Sequence, residues 1–131
     1  MKKVSETTKK IADFLSTHPK VKSVNYPGLE SDKNHNLALK YLNSKHFSGL
    51  LNFEVSGFEE AKKVINSTKL FTIAVNIGDS KSIITHPSST THQQINSETK
   101  RKTGISDELI RISVGLENAD DLIADLKAAL A

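Results

Sequence analysis

Apolar and polar positions along the chain change period several times, and each change marks an element. Val4, Ile11, Ala12, Phe14 and Leu15 form a partial helical stripe over residues 4–15 that weakens toward a lysine-rich start, so the first helix reads as cut at its front. Pro19 ends it, and Val21, Val24 and Tyr26 open an extended segment turned by Pro27-Gly28. Ser31 or Asp32 is placed to cap a second helix, with Leu37, Ala38, Tyr41 and Leu42 on one buried face and Asn43-Ser44 closing it.

From Gly49 to Val55 the period drops to two, which predicts a strand with Leu51, Phe53 and Val55 on one face, bounded by Ser56-Gly57. Phe58, Ala61, Val64 and Ile65 then return to helical spacing, with Lys62 and Lys63 facing away. Leu70 to Val75 reads as the most apolar strand, stopped at Asn76-Ile77-Gly78-Asp79, and Ser82 to Thr85 as a short one broken by His86-Pro87. Ser88 to Gly104 is polar, with one helical piece around Ser97 to Lys102. Leu109 to Val114 resumes strand character. Asn118 caps a last helix with Asp120 and Asp121 at its positive end and Leu122, Ile123, Leu126 and Leu130 inward. Helices alternating with strands predict an α/β or α+β sandwich: one mostly antiparallel or mixed sheet with helices packed on it. No repeat, low-complexity segment or interior linker divides the chain, so residues 1–131 are read as a single domain.

Composition narrows the classes. At 131 residues with 37% hydrophobic positions, the chain is long enough to bury about two-thirds of its unfolded surface. Its 18 Lys plus Arg and 15 Asp plus Glu are mixed rather than blocked, which predicts a solvated surface and no nucleic-acid footprint. The Lys100-Arg101-Lys102 run is read as surface, and at 5% aromatics there is no base-stacking platform. The absence of cysteine excludes a disulfide framework, a Cys-based zinc site and a thiolate nucleophile, and suits a cytoplasmic protein. No apolar run approaches the length of a bilayer span, so no membrane association is expected.

Arg111 carries the candidate chemistry. It stands between Ile110 and Ile112, so its neighbours point to the opposite face of a strand. A guanidinium cannot shed its charge, and a half-buried one needs water, a partner carboxylate or a bound anion. Spacing leaves two readings open: a structural ion pair to one of the 15 acidic residues, or a planar fork aimed at a ligand carboxylate or phosphate. Asn76, at a strand end two residues before Gly78, is placed to donate to the same anion or to serve only as turn chemistry. His86 and His92 stand six residues apart in a polar stretch and read as plain loop histidines; His18 beside a helix end, His46 beside a strand start and His35 near a cap are expected in solvated roles, and no metal site is expected.

The run NIGDSKSIITHPSSTTHQQ followed by GISDELIRISVGLENADDLIADL closely resembles the C-terminal segment of the pyridoxal-phosphate (PLP) enzymes of cysteine and methionine metabolism. HPKVKSVNYPGL and SGLLNFEV are similar to further segments of that family, in the same order. The resemblance implies the small C-terminal domain of a fold-type I PLP enzyme, in which the arginine of the LIRISVG strand binds the substrate α-carboxylate. Arg111 matches it. The position of Asn76 assists in such enzymes, as a serine in the lyase branch and an asparagine in the sulfhydrylase branch. Asn76 and THPSSTTHQQ therefore imply an O-acetylhomoserine sulfhydrylase-like transferase of methionine biosynthesis and sulfur amino acid metabolism, acting on an O-acetylhomoserine-like substrate. Thr91 matches a threonine near the carboxylate site.

Family members are roughly three times this length, and their N-terminal part holds the cofactor and its Schiff-base lysine. The resemblance thus implies a fragment with substrate-binding residues Arg111, Asn76 and Thr91, no catalytic lysine, no PLP of its own and no activity alone; in the intact enzyme the partners are an N-terminal PLP domain and further copies in a homo-oligomer. Ser67-Thr68-Lys69 superficially resembles the lysine motif, but lies between a helix and a strand where a solvated lysine is expected. The alternative is a free-standing, non-catalytic module that binds a small carboxylate or a protein partner.

Overall fold

A computed structural model describes residues 1–42 and 46–131. Its centre is a five-stranded sheet ordered β1-β2-β5-β4-β3, formed by β1 (Ser23–Asn25), β2 (Leu50–Glu54), β3 (Thr72–Ile73), β4 (Ile83–Thr85) and β5 (Leu109–Ser113). β1 with β2, β2 with β5 and β5 with β4 pair antiparallel, while β3 joins β4 in parallel. The sheet is therefore mixed. Among the described residues five α-helices accompany it: α1 (Lys2–Ser16), α2 (His35–Tyr41), α3 (Phe58–Ser67), α4 (Ser97–Lys102) and α5 (Ala119–Leu130).

Period-two alternation gives the sheet two chemically different faces. Leu51 pairs with Ile112, Phe53 with Ile110 and Ile84 with Ile112, and these side chains join the core with Ile11 and Leu15 of α1, Val64 of α3 and Leu122 and Leu126 of α5. On the other face the same register lines up Asn52, Arg111 and Thr85 across β2, β5 and β4. Ile83 and Leu109 are buried on that second face, outside the main core.

The helices show how far spacing carries. Asn118 caps α5 by accepting from the Asp120 and Asp121 N–H groups, and Leu122, Leu126, Ala129 and Leu130 are buried, with Ile123 half-buried. α3 buries Ala61, Val64 and Ile65 but leaves Phe58 partly exposed. In α1 the stripe continues through small polar residues: Ser5, Thr7 and Thr8 are buried, and Thr8 Oγ1 donates to the Val4 carbonyl at 2.7 Å. Buried Tyr26 ties this end to the loop before β2, its hydroxyl donating to the Ser48 carbonyl at 3.0 Å.

Two expectations about apolar segments are corrected. α2 has no buried residue: Leu37 is 55% and Tyr41 69% exposed, so the predicted buried face meets solvent. Its N-cap is Asn34, preceded by an Asp32 side chain that accepts from the Asn34 N–H; the proposed Asn43-Ser44 stop lies outside the described residues. The segment from Leu70 to Val75 contributes only two strand residues at the sheet edge, with Ile73 57% and Val75 63% exposed and Phe71 buried. An edge strand pairs on one side alone, so hydrophobicity there is not evidence of burial.

Candidate functional site

Arg111 lies in the central strand, half-buried on the face opposite the helical core. Its cross-strand neighbours are Asn52 and Thr85, both uncharged. The Nε–H donates to Asn52 Oδ1 at 3.4 Å. Among the described residues no acidic oxygen comes within ion-pairing distance of the guanidinium, although ion pairs form elsewhere, such as Lys22 with Glu108 at 2.8 Å. The structural ion pair left open by spacing is therefore not what this arginine makes.

A cavity of about 300 Å³ opens beside it, lined by Ala74, Val75, Asn76, Ile77, Ile83, Thr85, Arg111 and Ser113. Its wall is the chain between β3 and β4. Thr85 Oγ1 donates to the Ala74 carbonyl at 2.5 Å, and the Gly78 N–H donates to Ser113 Oγ at 3.3 Å, fixing the wall to β4 and β5. Asn76 Oδ1 accepts from the Ile77 N–H at 2.9 Å, and Asn76 Nδ2 donates to Asp79 Oδ2 at 3.4 Å. An amide nitrogen carries two protons, so one donor of Asn76 is left for another acceptor. The Lys81 N–H, with the Ser80 and Asn76 side chains, holds the Asp79 carboxyl below the usual carboxylate range.

The far end of the wall is locked more tightly. Glu117 accepts from the Ser82 N–H and hydroxyl, each at 2.7 Å, and Ser82 Oγ accepts from the Gly115 N–H at 2.9 Å. Gly115 passes so close that a Cβ there would lie 2.3 Å from the Ser80 carbonyl oxygen. Only glycine lets the two backbones meet at this point.

The other residues singled out by sequence fall elsewhere. Thr91 does not line the cavity; its hydroxyl lies 2.7 Å from His92 Nδ1. His86, expected as a plain loop histidine, is buried, with Nδ1 at 2.7 Å from Ser89 Oγ and Nε2 at 2.8 Å from the Asp107 carbonyl. Ser88 donates to the Asp107 carboxylate, and Lys100 Nζ donates to the Ser88 carbonyl at 2.8 Å, so the basic run is not simply surface. His35 Nδ1 sits 2.7 Å from the Pro27 carbonyl. Lys69 is exposed, its N–H held by Asp125. Sequence reasoning passed over Asn52 and Thr85. The available signal for Asn52 was its amide in the alternating run Leu51-Asn52-Phe53, on the same face as Arg111 once the register is known.

This architecture has a close counterpart among solved structures. A Campylobacter jejuni protein assigned as an O-acetylhomoserine (thiol)-lyase, crystallised with a pyridoxyl-lysine monophosphate, superposes with a TM-score of 0.95 at 51% identity over 98% of this chain and 31% of its own. The mixed sheet and its helices thus match part of a fold-type I PLP enzyme structure. The family model for Cys/Met metabolism PLP-dependent enzymes matches residues 1–131, and the chain belongs to that family. An O-acetyl-L-homoserine sulfhydrylase from Leptospira meyeri is 46% identical over 99% of the chain and 30% of its own length. An L-methionine gamma-lyase from Fusobacterium nucleatum is 43% identical over 99% of the chain and 33% of its own. The chain spans about a third of the curated relatives it matches. Among the described residues, no helix is long and apolar enough to cross a membrane.

Proposed function

We propose that residues 1–131 form one domain, the C-terminal substrate-binding domain of a PLP-dependent, O-acetylhomoserine sulfhydrylase-like enzyme, and that Arg111 binds the substrate α-carboxylate. The observation that carries this reading is a half-buried guanidinium, without an acidic partner among the described residues, facing a cavity it shares with Asn76. With Nε engaged by Asn52, the two terminal nitrogens form the fork that matches a carboxylate. Asn76 donates its second amide proton to the same group. Asparagine at this position and the likeness to the Leptospira and Campylobacter proteins support the sulfhydrylase branch, in which sulfide replaces the γ-acetoxy group of the substrate.

Fixing the carboxylate orients the Cα–H bond for proton removal, which is the contribution of this chain to catalysis. When bound in the intact enzyme, PLP supplies the electron sink. The described residues do not fit the cofactor: among them no lysine lines the Arg111 cavity, and Lys69 stands in solvent. In the intact enzyme we assign the cofactor to an N-terminal PLP domain, with further copies in a homo-oligomer, and we assign such an enzyme to the cytoplasm. Alone, the chain binds and does not turn over; turnover, or a lysine-bound cofactor absorbance, on adding PLP and O-acetyl-L-homoserine to it would contradict this.

The binding claim is tested by nuclear magnetic resonance on the ¹⁵N-labelled chain. O-acetyl-L-homoserine is expected to shift the Arg111 side-chain and Asn76 amide signals, and its α-methyl ester, which lacks the charge, is expected not to. Equal responses to acid and ester would overturn the reading.

A further inference from the structure

Resting on that carboxylate reading, we infer that Asn52 is a positioning residue for Arg111: it aims the guanidinium without neutralising it, and the uncharged pair Asn52 and Thr85 keeps the site selective for an anion. Every residue directly opposite Arg111 in the sheet is fixed by register, Asn52 on β2 and Thr85 on β4. These are the side chains best placed to capture its charge. Thr85 is committed to the Ala74 carbonyl, which leaves Asn52 as the group that contacts the guanidinium.

The contact is chemically specific. An amide oxygen accepts one N–H and returns no net charge, so the arginine keeps its full positive charge and its terminal fork. Engaging Nε restricts the rotation of the guanidinium plane, which is the part of a flexible side chain's entropy that a ligand would otherwise have to remove on binding. An aspartate would fill the same volume and accept the same hydrogen bond, but it would pair with the guanidinium and leave the incoming carboxylate facing a neutral pair. Asparagine is thus the residue that both orients and spares the charge. The alternating strand puts Leu51 and Phe53 in the core, so Asn52 answers to the Arg111 face alone.

The experiment uses the full chain, with O-acetyl-L-homoserine as probe and the Arg111 Nε–H signal as a direct reporter. Asn52→Ala is expected to weaken binding by about 3- to 10-fold and to speed exchange of the Nε proton, the loss of one modest hydrogen bond and of pre-orientation. Asn52→Asp is expected to be the worse of the two, weakening binding by about 30-fold or more while preserving the fold and slowing Nε–H exchange. A purely structural Asn52 predicts the reverse order, with the isosteric aspartate tolerated and alanine harmful. Aspartate binding as well as wild type overturns the inference while the carboxylate reading stands. Arg111→Ala serves as the separate arm: if it leaves probe binding unchanged, the carboxylate reading itself fails. Thermal unfolding of each variant identifies any that lose binding by unfolding, and Asn52→Ser, which keeps a neutral acceptor, is then expected to restore part of the affinity lost in Asn52→Ala.

Discussion

At the residue scale the decisive fact is a charge left over. Folding half-buries the Arg111 guanidinium and gives it a neutral neighbour, a costly arrangement unless something else completes it. On the proposed reading, replacing Arg111 with alanine removes two charge-assisted bonds to a substrate carboxylate, each worth on the order of 1.5–3 kcal/mol, and is expected to lower kcat/KM of an enzyme built on this domain by about 10²- to 10⁴-fold. Lysine retains the charge but not the fork, and is expected to fall between wild type and alanine in the same assay. Asn76→Ala loses a single neutral donor and is expected to cost about 10-fold, seen chiefly in KM. Spacing alone presented Arg111 as an ion in search of a partner, and only the family resemblance implied a substrate carboxylate. The strand register, which spacing does not specify, was needed to show that Asn52 and Thr85 rather than an acid lie beside it.

At the scale of elements, the site is a strand face and a wall held against it. The wall is pinned where β5 ends, and Gly115→Ala would drive a methyl group into the Ser80 and Lys81 backbone. A loss of about 1–3 kcal/mol of stability is expected, measured by urea unfolding, together with weaker substrate binding, because the Asn76 loop shares that anchor. On the opposite face, Tyr26 reports on how α1 is tied down. Burial pushes its phenol pKa up, offset by bonds with Ser5 and the Ser48 carbonyl. The folded state therefore resists ionisation more than the unfolded chain. This contribution is intact below about pH 10 and is lost as pH rises through the folded-state value. Tyr26→Phe is expected to flatten that alkaline decline in stability and to cost about 1 kcal/mol at neutral pH. The long amphipathic elements, α1, α3 and α5, were legible from spacing because their periodicity coincides with their burial. The Leu70–Val75 segment was not: an edge position and a short parallel pairing depend on where other strands go, and local composition carries no record of that.

The whole molecule bears apolar surface that its own fold does not cover. Leu37, Leu39, Tyr41 and Leu42 on and beside α2 are exposed, as are Leu70, Ile73, Val75 and Ile77 near the cavity wall. The helical spacing of α2 marked as buried a face that the structure leaves in solvent, because periodicity records an apolar stripe and not what covers it. Since relatives extend to about three times this length, surface of this kind is expected to make the isolated chain self-associate as concentration rises. Light scattering checks this, and Leu37→Lys with Tyr41→Lys is expected to reduce the association without unfolding the domain, neither side chain being part of the core.

The central claim, that this chain carries the carboxylate-binding part of an active site whose cofactor lies elsewhere, is most directly tested by transplanting it. Residues 1–131 would replace the equivalent 31% of the Campylobacter jejuni protein, and sulfide-dependent consumption of O-acetyl-L-homoserine would be measured with and without Arg111→Ala. The account predicts an active hybrid whose kcat/KM falls by about 10²-fold or more in the variant. An active hybrid indifferent to the loss of Arg111 would contradict it.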